Sequence, residues 1–376
     1  MKVSVIGASV SGLFSAYLLA KEGVEVEVYE RGDALGRPSR TLVVTSKISE
    51  ILDFIPEEAI LNKVRYIELY SRSRSARLEL ADPDLVLERG KLLNLLAHLA
   101  EKAGAKIVFK HQFEGFAQFG KKIVVQLRNL DTGEEQRKVS DILIGADGAL
   151  SAVSRAASRN GHSLVSLIQA KVRIPEGTSK ETTQVWFDSN LTKYFSWLIP
   201  ESEKIGVAGL ITKESKQAKA TLNTFLEKRG LEPLEFQTAE TTIHHLEFFR
   251  NGRISGNNIF FVGDARAQVK VSTVGGVVPG LHGAKVLAHA IVNGQDYSRS
   301  LRELNRELNL HLLVRHVINR FNDEDYDDLL GMLDGKLKNV LQEQTRDELT
   351  YSFLRLLLAE PRLITLGAKA LLKSLL

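Results

Sequence analysis

Lys2-Val-Ser-Val-Ile6, Gly7-Ala-Ser-Val-Ser-Gly12, Leu13-Phe-Ser-Ala-Tyr-Leu-Leu-Ala20 and Gly23-Val-Glu-Val-Glu-Val-Tyr-Glu30 open the chain. In order they read as strand, tight glycine turn, helix, turn and strand. That context gives a GxGxxG-type turn its meaning as a dinucleotide fingerprint; without it the pattern is an ordinary βαβ unit. Glu30 closes the second strand 18 residues after Gly12, the distance expected of a carboxylate that accepts from an adenosine ribose. Ser9 stands where the fingerprint has its middle glycine. Its Cβ takes room close to a pyrophosphate, while its hydroxyl can donate to a phosphate oxygen.

A second stretch complements the first. Asn258-Ile-Phe-Phe-Val-Gly-Asp264 is an apolar strand that stops at a carboxylate, and Gly275-Gly276 then opens a helix. Open α/β sheets bind ligands at that carboxyl edge, and bare backbone N–H groups at paired glycines can approach a flat or anionic ligand. A third strand runs Asp141-Ile-Leu-Ile-Gly-Ala-Asp147-Gly148. Edges ending at Glu30, Asp147 and Asp264 suit a long cofactor with adenosine, pyrophosphate and a ring system, which favours FAD over NAD.

Composition sets the limits. The chain has 376 residues, 44% of them hydrophobic and 26% charged, ordinary for a globular protein of two or three lobes. A net charge of +4 is too small to argue for nucleic acid. There is no cysteine, which excludes disulfides, cysteine–zinc sites, iron–sulfur clusters and thiol catalysis. The chain begins directly with its first strand, so no signal peptide is expected, and no apolar run reaches the ~18 residues of a membrane span. These features imply a cytoplasmic protein. The nine histidines show no metal-ligand spacing: His244 and His245 are adjacent, and His311 and His316 are five apart.

Along the chain the expected fold is α/β, and α+β overall. It combines a Rossmann-like nucleotide domain with a second, mainly antiparallel-sheet domain and a C-terminal helical segment. The nucleotide domain is discontinuous, at 1–45, 84–160 and 253–298. Sheet segments fill 46–83 and 161–252, and helices fill 299–376. Asp131-Thr-Gly133 predicts a hairpin turn, and Leu92 to Ala103 a helix. Leu301, Leu304, Leu308 and Leu312 form one apolar helical stripe; Ile364, Ala368, Leu371 and Leu375 form another.

Gly7 to Gly12 with Glu30, Gly145-Ala-Asp-Gly148 with Ser151 and Arg155, and Gly263-Asp264 with Gly275-Gly276 together resemble the flavoprotein superfamily of aromatic hydroxylases and geranylgeranyl reductases. Tyr194-x-x-Trp197-x-x-Pro200 followed by Gly206-Val-Ala-Gly209 resembles the aromatic–proline signature of the archaeal-type geranylgeranyl reductases, with Ile199 where phenylalanine is usual. Thr273-Val-Gly-Gly-Val277 is similar to their Thr-Gly-Gly-Gly-Ile stretch, with Val274 replacing the first glycine. The resemblance implies FAD as cofactor. Gly7, Ser9, Gly12 and Glu30 would hold its ADP half, with Ser11, Arg31 and Phe113 among the contacting positions. Arg40 and Arg89 would lie near the pyrophosphate or flavin edge, and Asp264 would accept from the ribityl chain. Gly275, Gly276 and Val277 would line the flavin's N1/O2 side, and Asp147 would shape the turn beneath it. Tyr194 and Trp197 would wall a substrate cavity or serve as core aromatics on a strand; the two roles are compatible.

Many members of that family carry a cysteine directly after the arginine matching Arg40; here Thr41 follows, so a mechanism needing that thiol is closed to this chain. Three readings stay open. One is reduction of C=C bonds in an isoprenoid lipid or prenyl quinone chain, with NAD(P)H or a reduced carrier protein as electron source. Another is aromatic hydroxylation with NAD(P)H. The third is a non-catalytic or electron-transfer flavoprotein. Residues 350–376 set Arg355, Arg362, Lys369 and Lys373 among leucines, against Glu360 as sole acid. Such a segment suits peripheral contact with an anionic membrane or a helix packed on the body with a solvated basic face.

Overall fold

β1 (Lys2–Ile6) is the centre of a five-stranded parallel sheet. β10 (Ile142–Gly145) and β16 (Ile259–Phe261) extend it on one side; β2 (Glu25–Tyr29) and β6 (Lys106–Val108) extend it on the other. The computed structural model describes residues 1–157, 163–243 and 258–373. His244, His245 and Leu375, and the domain boundaries at 160, 252 and 253, lie outside the described residues.

Residues 3–6 of β1 and 142–145 of β10 are buried on both faces because both are covered, and Ser4, the polar exception, lies 2.6 Å from Ser140 Oγ. On one face lie α1 (Val10–Lys21), α3 (Arg89–Lys102) and α6 (Val277–Val292), whose Leu13, Leu92, Leu96 and Leu281 share a core with Val3, Val5 and Val28. On the other lies a three-stranded meander, β7 (His111–Phe119), β8 (Lys122–Asn129) and β9 (Glu135–Ser140), with Ile123, Val125 and Leu127 packed on Ile6 and Leu143. Asp131 to Gly133 turn between β8 and β9, where Gly133 takes φ +74°. α4 (Ala152–Ala156) follows β10.

The second sheet has eight strands in the order β15-β11-β14-β13-β12-β4-β5-β3. They are β3 (Thr41–Val44), β4 (Ile60–Tyr70), β5 (Ser75–Glu88), β11 (Leu164–Arg173), β12 (Thr182–Trp186), β13 (Ser196–Pro200), β14 (Ile205–Thr212) and β15 (Pro233–Thr242). Every pair is antiparallel except β12 with β4. Side chains alternate across it. Ile168, Ala170, Leu198 and Leu210 face α5 (Ala218–Arg229); Val165, Trp197 and Ile211 face the opposite way, onto Val269 and Val274 of the segment after β16. β3 pairs in this large sheet, yet Val44 at its end packs into the core of the parallel-sheet lobe, so the two lobes share a seam near residue 44.

Among the described residues seven more α-helices follow: α2 (Lys47–Leu52) early on, and α7 (Tyr297–Ser300), α8 (Arg302–Ile318), α9 (Asp323–Gly331), α10 (Gly335–Glu343), α11 (Leu349–Ala359) and α12 (Arg362–Leu372) later in the chain. Leu301, Leu304 and Leu308 are buried as the spacing predicts, and Leu312 is half-buried. The α12 stripe is a correction. Leu366 and Ala370 face inward, while Ile364, Ala368 and Leu371 face out. Both faces of α12 are apolar, and periodicity alone cannot say which one packs.

Candidate functional site

The turn between β1 and α1 leaves no room for side chains. Gly7 sits at φ +100°, and a Cβ there would lie 2.6 Å from the Ala146 carbonyl oxygen; one on Gly12 would lie 2.3 Å from the Gly7 oxygen. Ser9 caps α1, its Oγ accepting from Gly12 N at 3.1 Å, which leaves the hydroxyl proton free to point outward. Glu30 is held over the same turn, accepting from Ala8 N at 2.9 Å and Gly32 N at 2.8 Å. Ser11 has a different setting. It is buried, and the Cβ positions of Gly263 and Gly280 fall 2.8 and 2.4 Å from its Oγ, so its side chain serves the close approach of α1, α6 and the Gly263 turn.

Gly263 to Arg266 form a single 3₁₀ turn after β16. Asp264 accepts from Thr241 Oγ1 at 2.8 Å, and its carbonyl oxygen accepts from Thr242 Oγ1 at 3.0 Å. Gly276 is the N-cap of α6, and a Cβ on it would lie 3.0 Å from Asp264 Oδ1. Among the described residues no side chain caps α6, so its first-turn amides stay open toward the cleft that Asp264 borders. Gln268 braces the turn by accepting from Gly263 N at 2.7 Å and donating to the Tyr297 hydroxyl at 3.2 Å.

Two cations face this acid. Burial lowers the Arg40 pKa, repulsion from Arg89 adds to the effect, and Asp264 opposes it. Burial likewise lowers Arg89, against Glu30, Glu88 and Asp264. Burial raises the Asp264 carboxyl above its ordinary range, opposed by Thr241 and the two arginines. Among the described residues neither guanidinium has a hydrogen-bonded protein acceptor. Two desolvated, mutually repelling guanidinium groups beside open helix amides and a glycine turn are the donor set a pyrophosphate requires. The residues therefore fit a dinucleotide laid from Glu30 to Gly276.

The other expected positions fall around that line. Arg31 is exposed, and Phe113 is buried with Ile6 and Tyr29. Asp147 accepts from Ser151 Oγ at 2.5 Å and Ala152 N at 2.6 Å, and so shapes the turn into α4. Tyr194 and Trp197 are buried against Val269 and Val274. The Arg315 guanidinium stacks 4.5 Å from the Tyr194 ring centroid, and the buried Trp197 indole N–H has no hydrogen-bond partner among the described residues. Gly209 makes room for that indole: a Cβ there would lie 2.6 Å from Trp197 Cζ2. Thr41 donates to the buried Glu201 carboxylate, which also meets Lys171 at 3.5 Å.

Residues 270–275 close on themselves through Lys270 N to Gly275 O at 3.0 Å and Val274 N to Lys270 O at 2.7 Å. Val274 takes φ +55°. The loop presses Val269 and Val274 onto the aromatic wall in front. Behind, Lys270 pairs with the buried Asp347, which also accepts from Thr45 Oγ1 at 2.6 Å. Sequence reasoning passed over this rear support, and over Thr241 and Gln268. Gln268 could have been flagged by its place inside the Gly-Asp to Gly-Gly stretch; Asp347 carries no local signal.

A family model described as FAD binding domain matches residues 1–290. The chain is 28% identical over 364 residues to digeranylgeranylglycerophospholipid reductase 2 of Methanothermobacter thermautotrophicus, covering 89% of this chain and 92% of that protein. It is 23% identical over 347 residues to the geranylgeranyl diphosphate reductase of Synechocystis, covering 85% and 84%. Among solved structures, a geranylgeranyl bacteriochlorophyll reductase-like protein of Thermoplasma acidophilum superposes with TM-score 0.78 over 98% of both chains at 20% identity. A flavin-dependent halogenase superposes with TM-score 0.69 at 17% identity over 97% of this chain and 77% of its own.

Proposed function

The chain belongs to the FAD binding domain family, and from that premise we propose that it is an oxidoreductase that saturates C=C bonds of an isoprenoid lipid or prenyl quinone chain. One observation carries the choice of substrate class. The loop leading to Gly275-Gly276 packs Val269 and Val274 against Tyr194 and Trp197, so an apolar, aromatic wall adjoins the proposed flavin end of the cleft. The names of the curated relatives point the same way.

Bound FAD, once reduced, supplies a hydride equivalent. The protein's part is positional and electrostatic. Gly7, Ser9, Gly12 and Glu30 would seat the adenosine half, and Arg40 and Arg89 would neutralise the pyrophosphate. Asp264 would accept from the ribityl hydroxyls. The open amides of Gly276 and Val277 would face the ring edge where negative charge collects on reduction. Tyr194, Trp197 and Val274 would exclude water and hold an alkene flat against the ring. The electron source in this reading is NAD(P)H or a reduced carrier protein.

No described helix is long and apolar enough to cross a membrane. We propose instead that α11 and α12 rest on a bilayer, since Tyr351, Leu354, Leu358, Ile364 and Leu372 are exposed there. The test of the activity is anaerobic. Dithionite-reduced protein is mixed with a geranylgeranyl lipid, and reoxidation is followed with the product's mass. Flavin reoxidation with a gain of two hydrogens per bond is expected. Reoxidation by phenols and oxygen alone would move the assignment to hydroxylation.

A further inference from the structure

Behind the 270–275 loop lies a buried polar chain that the reading above does not use. Ser272 Oγ is 2.6 Å from His311 Nδ1 on α8, and His311 Nε2 is 3.2 Å from Glu307 Oε1 one turn earlier. His311 is only 3% exposed. Glu307 is anchored by the start of α11: it accepts from Leu349 N at 2.6 Å, Thr350 N at 2.8 Å and Thr350 Oγ1 at 2.5 Å. Burial acts to raise the Glu307 carboxyl, but the hydrogen bonds from His311 and Thr350 outweigh it and hold it below its ordinary range.

The proton positions follow from these partners. An ionised carboxylate only accepts, so Nε2 must carry hydrogen; in the neutral ring Nδ1 is then an acceptor, and the Ser272 hydroxyl donates to it. A doubly protonated ring reverses that bond: Nδ1–H donates to Oγ, and the hydroxyl proton points away from α8. The same three side chains thus support two proton arrangements that differ by one proton.

Resting on the reductase reading, we propose that Ser272, His311 and Glu307 store and relay the proton that completes C=C reduction. Saturating one bond takes a hydride at one carbon and a proton at the other. The hydride comes from reduced FAD, which ends oxidised. The proton leaves His311 Nδ1 for Ser272 Oγ as Oγ releases its own toward the alkene, directly or through one water. The new C–H bond forms, and the imidazole is left neutral with its Nε2–H on Glu307. Solvent then returns one proton to the ring. His311 and Glu307 act through Ser272 and are positioning residues. The Lys270–Asp347 pair supports the same loop without a proton-relaying group, which makes it the structural control.

Four variants test this: Ser272→Ala, Ser272→Thr, His311→Asn and Asp347→Asn. Nitrogen NMR of the histidine-labelled apo-protein reads the tautomer without cofactor or substrate. An Nε2–H ring, whose Nδ1 signal moves when Ser272 becomes alanine, is expected; an Nδ1–H ring overturns the assignment. In single-turnover reoxidation by a geranylgeranyl lipid, Ser272→Ala and His311→Asn should slow the step about a hundredfold or more. FAD affinity should stay within a few fold. Ser272→Thr should restore the rate, and the wild-type solvent deuterium isotope effect should persist in Asp347→Asn. Equal rates in wild type and Ser272→Ala would overturn the relay. A wild-type protein inert toward prenyl lipids, with the expected tautomer in place, would instead count against the substrate reading.

Discussion

Val274 holds a left-handed backbone conformation that a β-branched residue rarely adopts, at roughly 1–2 kcal/mol. Glycine would relieve that strain. It would also give up the burial of the side chain against Tyr194 and Trp197, about 1.5–3 kcal/mol, and add about 0.5–1 kcal/mol of backbone entropy. Packing wins, so Val274→Gly should destabilise the apo-protein by about 1 kcal/mol, seen as a small fall in melting temperature. A rise would show that strain dominates. Asp264 runs the other way. Its charged form is disfavoured in the fold, so Asp264→Asn should raise the melting temperature of the apo-protein at neutral pH. The same change should weaken FAD binding tenfold or more, measured by quenching of flavin fluorescence; unchanged affinity would refute the role proposed for it at the ribityl chain.

At the scale of elements, the link between α10 and α11 joins separate parts of the fold. Arg346 pairs with Asp84 on β5 at 2.7 Å, Asp347 with Lys270, and Glu348 with Lys47 on α2 at 2.7 Å. Burial pushes the Asp347 carboxyl up, but Lys270 and Thr45 more than offset it, so its folded pKa lies below the ordinary 3.8. A depressed carboxylate stabilises the fold fully above its unfolded pKa and loses that contribution as pH falls through its folded value. Stability to urea should therefore drop as pH falls below about 4, and Asp347→Asn should flatten the drop; an identical slope in both proteins would rule the pair out as its source. The β1–α1–β2 unit was legible because turn, helix and strand are contiguous and each has its own period. The loop Ser272 to Gly276 was legible in its glycines and, through the family resemblance, in Thr273 and Val274, but not in Ser272. Ser272 and His311 are 39 residues apart, and no periodicity couples them. Glu307 and His311 do show an i, i+4 spacing, but a search for metal ligands among histidines passes over a carboxylate partner. The outward face of α12 was misassigned because Leu363, Leu366 and Ala370 are as apolar a row as Ile364, Ala368 and Leu371.

For the whole molecule, the outward apolar row leads to a different view of the C-terminal segment than its basic composition suggests. Arg355 pairs with Glu343, Arg362 with Glu360, and Lys369 and Lys373 with Asp325. Cations already paired attract anionic lipid weakly, whereas exposed leucines contribute through buried area. Binding to phosphatidylglycerol vesicles should therefore change little between low and high salt. Leu354→Glu with Leu358→Glu should abolish co-sedimentation while leaving FAD bound. Release by salt alone would return the interaction to electrostatics.

The link at residues 346–350 also bears on the order in which the protein is made. Asp347 and the Glu307 anchor at Leu349 and Thr350 brace the loop that leads to Gly276 from behind, and they leave the ribosome well after that loop does. A nascent chain halted before them has the proposed adenosine-binding turn complete and the loop before Gly276 unbraced. Firm capture of the cofactor on this reading waits for residues 346–350 and cannot template the folding of the amino-terminal half.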